Sequence, residues 1–356
     1  MKKHMVRMLS VLVALVAVLL AGVTWAEEIS DLKQKAESGD ADAQIELGIA
    51  YMNGDGIGKN PTKAAKWWQK AAAQGKAKAQ CNLGWCYEYG EGVKQDLAKA
   101  VEWYQKAVEQ EDMLAQHNLG LCYAEGKGVE KDPKKAVELF QKSANQGYAE
   151  AQYELGWCYN IGEGVEKDPV KAVEWYQKAA EQGHAEAQRN LGVCYVKGKG
   201  VEKDPAKAVE WYRKAAEQGD SAAQSFLGGC YANGEGVEKD PVKAVKWNRK
   251  AAEQGHADAQ FNLGWCYHFG VGVEKDPTKA VEWFRKAAEQ ELAEAQFNLA
   301  CCYANGDGVQ KDLAKAKEWL QKAADQGLEN AKKRWRNSKK RRKSLRNEQR
   351  EIYRKP

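Results

Sequence analysis

A 36-residue period is the feature that most constrains how this chain can fold. The dipeptide Leu-Gly recurs every 36 residues without an insertion, from Leu47 to Leu299, with Ala300 in place of the glycine in the last copy. Eight copies of one repeat therefore fill most of the 356 residues. Because a repeat of this size buries its apolar face only against its neighbours, the chain is predicted to form a stacked array rather than separate globular domains.

Each repeat predicts two helices. In "AQCNLGWCYEYG" the positions 3, 4 and 7 residues after Gln80 are leucine, glycine and tyrosine, which places them on one helix face. The glycines of the following "GEGV" suit a tight connection. The second helix is predicted to start at "KDP", with Asp204 as a typical cap and Pro205 in the first turn, and to end at a glycine such as Gly219.

The repeated pattern A-x-A-Q-x-x-L-G-x-x-Y-x-x-G-x-G-V-x-x-D-x-x-K-A-x-x-W-x-x-K-A-A covers residues 41–327 and closely resembles the Sel1-like repeat family of the tetratricopeptide-like superfamily. The resemblance implies an all-α fold, namely a right-handed α-solenoid of eight 36-residue helix-turn-helix repeats whose first helices line a concave surface. It also implies the usual role of the family, that of an adaptor or scaffold for other proteins.

The ends of the chain differ in composition from the repeats. Residues 1–26 contain basic residues followed by one apolar run, which predicts a secretory signal peptide and export to the periplasm or the medium. Residues 27–40 are predicted to be a capping helix for the repeats of 41–327. Residues 328–338 are predicted to form a second capping helix, and 339–356 a basic, flexible tail without a further membrane span.

Charge is divided unevenly between the repeats and the tail. Residues 331–356 carry 13 basic and 2 acidic side chains, whereas residues 27–330 have a net charge of −9. A cluster of this kind suits an anionic surface or polymer, and export disfavours nucleic acid as that polyanion. The alternative is a solvated end with no ligand. The predicted polyanion-binding residues are Lys339, Lys340, Arg341, Arg342 and Lys343.

Seven cysteines recur at the same position of successive repeats: Cys86, Cys122, Cys158, Cys194, Cys230, Cys266 and Cys302. Stacked helices lie roughly 8 to 10 Å apart, beyond the roughly 7 Å Cα limit of a disulfide. No Cys-x-x-Cys or Cys/His cluster accompanies them, so we expect neither a metal site nor a cofactor. Ala50 occupies the position in the first repeat, which favours a small buried residue. A redox role of exported thiols is the alternative.

Three positions of the first helix vary between repeats: two before the leucine, two after it and five after it. Their separations of 4 and 3 residues place them on one stripe, which faces the groove in the family that the chain resembles. Aromatic side chains there resemble the anchors of protein interfaces, although they could instead pack between repeats. The predicted partner-binding residues are Trp85, His117, Tyr153, Trp157, Arg189, Phe261, Trp265 and Phe297.

Enzymatic function has weak support in the sequence. Cysteine-rich members of the similar family are associated with penicillin binding and β-lactamase activity, and Ser30 and Lys33 fit an S-x-x-K motif. Neither S-D-N nor K-T-G follows, and no phosphate-binding loop is present. The predicted function is therefore an exported adaptor that binds a partner protein along its concave face, with no catalytic residue assigned. A weak hydrolase and tail-mediated binding to an anionic surface are the alternatives.

Overall fold

A computed structural model describes residues 27–333 of the chain. Every regular element in that range is a helix, which confirms the predicted all-α class. The predicted signal peptide and most of the basic tail lie outside the described residues. The helices are α1 (27–37), α2 (Ala41–Asn53), α3 (Pro61–Ala73), α4 (Ala77–Tyr89), α5 (Leu97–Val108), α6 (Met113–Glu125), α7 (Pro133–Asn145), α8 (Ala149–Ile161), α9 (Pro169–Glu181), α10 (Ala185–Lys197), α11 (Pro205–Glu217), α12 (Ser221–Asn233), α13 (Pro241–Glu253), α14 (Ala257–Phe269), α15 (Pro277–Glu289), α16 (Ala293–Asn305), α17 (Leu313–Asp325) and α18 (329–333).

Each repeat contributes one even-numbered first helix and one odd-numbered second helix, so that repeat 1 is α2 and α3, and repeat 6 is α12 and α13. Local side chains set where these helices begin and end. Gly90 ends α4 with φ of 75°, a left-handed conformation that glycine tolerates, and its N–H donates to the carbonyl of Cys86. Asp204 precedes α11 and accepts a hydrogen bond from the Lys207 N–H at 3.0 Å, with Pro205 in the first turn. The predicted caps are therefore present.

The helices form two compact units, divided between Trp175 and Tyr176 within α9. In the first unit α2 to α8 pack in chain order, each against the next. In the second unit α10 to α17 pack in the same way. Neighbours in sequence are thus neighbours in space within each unit, as a repeat array requires.

The two helices of a repeat approach closely because the first helix carries a glycine where they cross. At Gly84 a Cβ atom would lie 2.7 Å from the ring of Tyr104 and 3.2 Å from the Ala100 carbonyl oxygen. Real Cβ atoms do not come so near a ring, so the glycine makes room for a buried side chain from the second helix. This buried position follows the recurring tryptophan and holds Trp68, Tyr104, Phe140, Tyr176, Tyr212, Asn248, Phe284 and Leu320.

A buried glutamine joins consecutive repeats. Gln224 of α12 donates from Nε2 to the carbonyl of Ala216 in α11, at 3.0 Å. Its Oε1 accepts a hydrogen bond from Gln254 at the end of α13, at 2.8 Å. Gln80 makes the equivalent bonds to Ala72 and Gln110 in the first unit. Each such glutamine therefore satisfies a helix-end carbonyl of the previous repeat while fastening the second helix of its own repeat.

The repeated cysteines are small core residues. All seven are buried free thiols, between the first helix and its neighbours. Burial raises the pKa of Cys86 and of Cys122 to about 12, and that of Cys266 to about 11. A thiol with so high a pKa stays protonated at neutral pH, and the thiolate is the reactive form. Burial of these thiols supports the packing interpretation over the redox one.

Candidate partner-binding surface

Three tryptophans stand out from the first helices into solvent. Trp85, Trp157 and Trp265 occupy the same position, two residues after the buried leucine, in repeats 2, 4 and 7. Their exposed fractions are 36%, 40% and 42%. The leucine is buried, and a displacement of two residues along a helix turns a side chain far from the direction of the leucine. Each indole therefore lies on the exposed face of its own first helix.

Each of the three tryptophans has an exposed apolar residue one turn further along its helix. Trp85 lies 5.3 Å from Tyr89 between ring centroids, and Trp265 lies 4.8 Å from Phe269. In repeat 4 the corresponding residue is Ile161, also exposed. We call Trp85/Tyr89, Trp157/Ile161 and Trp265/Phe269 the tryptophan pairs. Sequence reasoning missed the second member of each pair, although its i+4 spacing from the tryptophan was the available signal.

The fold itself does not demand the tryptophan pairs. Three other repeats carry aliphatic or small residues at the first position and charged or polar residues at the second, and they form the same two helices. The corresponding residues in repeats 3, 5 and 6 are Leu121 and Glu125, Val193 and Lys197, and Gly229 and Asn233.

Four other predicted contact residues lie partly beneath the surface. Tyr153 and Phe297 are half-buried. Phe261 is half-buried and packs its ring 5.8 Å from that of Phe284. Arg189 is half-buried, with Nε 3.7 Å from a carboxylate oxygen of Asp220, the cap of the next first helix. These side chains offer an edge or one face to a partner, whereas the tryptophans offer most of an indole.

The chain matches the Sel1 repeat model eight times, at 41–76, 77–112, 114–148, 149–184, 185–220, 221–256, 257–292 and 293–328. It belongs to the Sel1 repeat family. Sel1 repeat proteins generally mediate interactions between proteins, and the resemblance noted from the sequence is confirmed.

Two solved structures share this architecture. The crystal structure of c5321, a protective antigen present in uropathogenic Escherichia coli strains, has a TM-score of 0.79 at 43% identity. The alignment covers 86% of this chain and 66% of that one, so the chain spans about two thirds of that relative's length. A Sel1 repeat protein from Oxalobacter formigenes has a TM-score of 0.64 at 35% identity, over 86% of this chain and 89% of its own.

A further relative is the secretory immunoglobulin A-binding protein EsiB of Escherichia coli O6:H1. The two chains are 44% identical over 72 residues, which amount to 20% of this chain. The aligned segment spans 14% of the length of EsiB. This match therefore covers about two Sel1 repeats.

His117 differs from the other predicted contact residues of the Sel1 repeats because its side chain is buried. It is 8% exposed, and its ring centroid lies 5.9 Å from that of Phe140 and 5.2 Å from that of Tyr148. Burial lowers its pKa, which favours a neutral imidazole. The imidazole ring therefore packs against Phe140 and Tyr148 beneath the surface, and little of it is accessible to a partner.

The remaining predicted sites fall at the ends of the Sel1 array. Ser30 and Lys33 lie on α1, where the serine is exposed and the lysine half-buried. The predicted polyanion-binding residues, Lys339 to Lys343, lie outside the described residues. Between residues 27 and 333 no group of three or more His, Cys, Asp or Glu side chains is placed to hold a metal ion. No helix in that range combines the length and the apolarity needed to cross a bilayer.

Proposed function

We propose that this chain is an exported adaptor that binds another protein through the tryptophan pairs of its first helices. The single observation that carries the proposal is the exposure of Trp85, Trp157 and Trp265 at one repeated position. In the free protein an exposed indole contacts water. When a partner covers it, the indole gains a large apolar contact area. Tryptophan is accordingly enriched among the residues that dominate binding energy at interfaces.

The charge of the array adds a second property to this surface. Residues 27–330 are acidic overall, so a partner with basic residues around its apolar contacts would approach more readily. Affinity would come from the buried indoles, and the charges would act mainly on the rate of association. The partner class that we propose is therefore a protein with an apolar patch bordered by basic side chains.

Export is part of the proposal. It rests on the predicted signal peptide of residues 1–26. It is compatible with two relatives, c5321, a protective antigen, and EsiB, which binds secretory immunoglobulin A. Secretory immunoglobulin A is accordingly one named candidate partner to test. A partner within the bacterial envelope is the other.

The test compares two triple variants of the exported chain as immobilised bait. The first is Trp85→Ala with Trp157→Ala and Trp265→Ala. The matched control removes three exposed apolar side chains from second helices, Val170→Ala with Val242→Ala and Leu313→Ala. Envelope extract and purified secretory immunoglobulin A are the two sources of partner, and the captured protein is then titrated against each bait.

We expect the tryptophan variant to bind at least tenfold more weakly, since each lost anchor costs about 1 kcal/mol or more. The control should bind as the parent does, and both variants should keep the parent's circular dichroism and melting temperature. Equal affinity of the parent and the tryptophan variant would exclude the first-helix surface as the binding site. Unfolding of the tryptophan variant would show that these indoles belong to the core.

The charge asymmetry supports a second, separate role for the tail. We propose that Lys339 to Lys343 hold the protein to an anionic surface or polymer. Replacing these five residues by alanine in the full chain should abolish binding to vesicles that contain anionic lipid and leave partner capture unchanged. At 0.5 M salt the screening length is roughly 3 to 5 Å, so contacts between exposed charges should be lost. Vesicle binding that persists after the substitutions, or that survives 0.5 M salt, would contradict this role.

A further inference from the structure

The tryptophan pair of repeat 2 has a charged neighbour that the other two pairs lack at the same position. Three residues after the tryptophan, on the same side of the helix, repeat 2 carries Glu88, whereas repeats 4 and 7 carry Asn160 and His268. Glu88 is the only acidic residue at this position in the eight repeats. We call Trp85, Glu88 and Tyr89, all on α4, the Glu88 site.

A buried neutral donor holds the carboxylate of Glu88 in place. The hydroxyl of Tyr104 donates a hydrogen bond to Oε2 of Glu88 at 2.7 Å. Tyr104 is fully buried, and Glu88 is half-buried. Within residues 27–333 no lysine or arginine forms an ion pair with Glu88. A carboxylate is therefore fixed beside an exposed aromatic pair without a cation bound to it.

A second carboxylate borders the Glu88 site from the next repeat. Glu125, the last residue of α6, forms an ion pair with Lys127. The pKa of Tyr89 is raised, first by burial and then by the Glu88 carboxylate, with a smaller effect of Glu125, whereas Lys127 lowers it. These three charged side chains therefore all act on the Tyr89 ring. Two carboxylates face one ammonium group, so the surroundings of the aromatic pair are net negative.

We propose that the Glu88 site binds one arginine side chain of the partner protein, with the guanidinium group against the exposed rings and hydrogen-bonded to the carboxylate. The inference rests on the proposed function, because Trp85 and Tyr89 form one of the tryptophan pairs. The negative face of an aromatic ring attracts a cation, and the carboxylate beside the rings supplies the opposite charge. The pair in repeat 7, which has His268 in place of the glutamate, is left for an apolar side chain.

Arginine fits the Glu88 site better than the other polar side chains. Its guanidinium group is planar, so it can stack on a ring while its N–H groups at the edge point to a carboxylate. The ring centroids of Trp85 and Tyr89 lie 5.3 Å apart with 37° between the planes, and Tyr89 is 59% exposed, so ring surface is accessible. Lysine brings the same charge as a compact, strongly hydrated ammonium group, which does not stack. An acidic side chain would be repelled by Glu88.

The test compares arginine with its neutral isostere and does not depend on knowing the partner. The exported chain, labelled with ¹⁵N at tryptophan, is titrated at low ionic strength with the peptide acetyl-Leu-Arg-Leu-amide. The same peptide with citrulline keeps the shape of arginine and loses its charge, and the lysine peptide keeps the charge without the planar group. The indole N–H signals of Trp85 and Trp265 are the readouts. Each is assigned by its absence from the variant with phenylalanine at that position.

We expect the arginine peptide to shift the Trp85 signal saturably and to bind there about fivefold more tightly than the citrulline peptide, with the lysine peptide between them. Glu88→Gln keeps an acceptor for the Tyr104 hydroxyl and removes the charge, so it should abolish this preference. Glu102→Gln is the matched control, because it removes the same charge from an exposed position of α5 in the same repeat. It should leave the preference intact, and both variants should leave peptide binding at Trp265 unchanged.

Three results of the titration would overturn the Glu88 site. These are no saturable shift of the Trp85 signal, equal binding of the arginine and citrulline peptides, and a preference for arginine that survives Glu88→Gln. Tighter binding of the lysine peptide would overturn the assignment of arginine. The comparison of peptides in the parent protein needs no variant, so a loss of folding in Glu88→Gln would not leave the proposal untested.

The captured partner gives the second arm of the test. Glu88→Gln should bind it about fivefold more weakly than Glu102→Gln does, and equal affinities would show that the partner places no arginine at the Glu88 site. The tryptophan variant is measured separately. If that variant captures the partner as the parent does, the proposed function fails whatever the peptides show, so the two failures are distinguishable.

Discussion

At the scale of single residues, small side chains determine how closely the helices pack in this protein. The glycine after each leucine admits a ring from the second helix, and the recurring cysteine fills a space that an alanine fills in repeat 1. The sequence shows that glycine recurs at this position, as at Gly84. It did not identify the ring that uses this space, since the tryptophan beside that ring is the more conspicuous residue.

Gly192→Ala tests the close approach directly. The added methyl group would lie 2.5 Å from the ring of Tyr212, so the helices must separate, and we expect a loss of about 1 to 3 kcal/mol in the free energy of unfolding. Gly229→Ala is the matched control on the next first helix, where the methyl group meets no atom within 4 Å. It should stabilise the protein by about 1 kcal/mol through helix propensity. Urea denaturation of both variants measures the difference, and similar effects would contradict the packing argument.

Thiol labelling tests the burial of the recurring cysteines. At pH 8.5 iodoacetamide should leave Cys86, Cys122 and Cys266 unmodified in the folded protein, because burial raises their pKa values to between about 11 and 12. Half-buried Cys301 should react first, and urea should expose all nine cysteines. By linkage, this contribution to stability is complete below the ordinary thiol pKa of 9.0 and is lost as the pH rises towards 12. Rapid modification of Cys86 in the folded state, seen by mass spectrometry, would revive the redox interpretation.

At the scale of helices, both ends of each element were predictable because their determinants are local. An aspartate before proline begins a second helix, and a glycine with positive φ ends a first helix. Several capping aspartates, such as Asp204 and Asp240, have lowered pKa values, chiefly because a backbone N–H of the helix donates to the carboxylate. The join between repeats was not predicted. It uses a glutamine bond that spans 8 residues, and a second bond of the same glutamine spans 30 residues within its own repeat. Neither bond can be read from a pattern of adjacent residues.

Gln224→Ala tests the glutamine join. The substitution removes the donor to the Ala216 carbonyl and the acceptor for Gln254, and the buried carbonyl then lacks a partner. We expect a loss of about 1 to 3 kcal/mol in the free energy of unfolding, measured by urea denaturation. Gln177→Ala removes an exposed glutamine bonded to Glu181 and should change stability by less than about 0.5 kcal/mol. If both variants are equally stable, the join between repeats is apolar packing alone.

At the scale of the whole molecule, each described helix packs mainly against the next helix along the chain within its compact unit. The stability of such an array is approximately the sum of repeat terms and nearest-neighbour terms. A local change should therefore have local consequences.

Hydrogen exchange of Gln224→Ala measures how far a local change spreads. We expect amide protection to fall most in α11, α12 and α13, because the substituted bonds connect these helices. Protection in α2 to α5 should remain within error of the parent protein. Mass spectrometry of peptic fragments gives this comparison helix by helix. A uniform loss of protection over residues 27–333 would show that the protein unfolds as a single cooperative body instead.

The sequence by itself determined the family, the number of repeats, the two helices of each repeat and where they begin and end. These features depend on contacts within about one helical turn or on a pattern repeated eight times, so a single chain displays them. Only the tertiary structure decided which side chains of the variable stripe reach solvent. His117 is buried and Trp157 is exposed, although both belong to the predicted stripe, because burial depends on rings supplied by other helices.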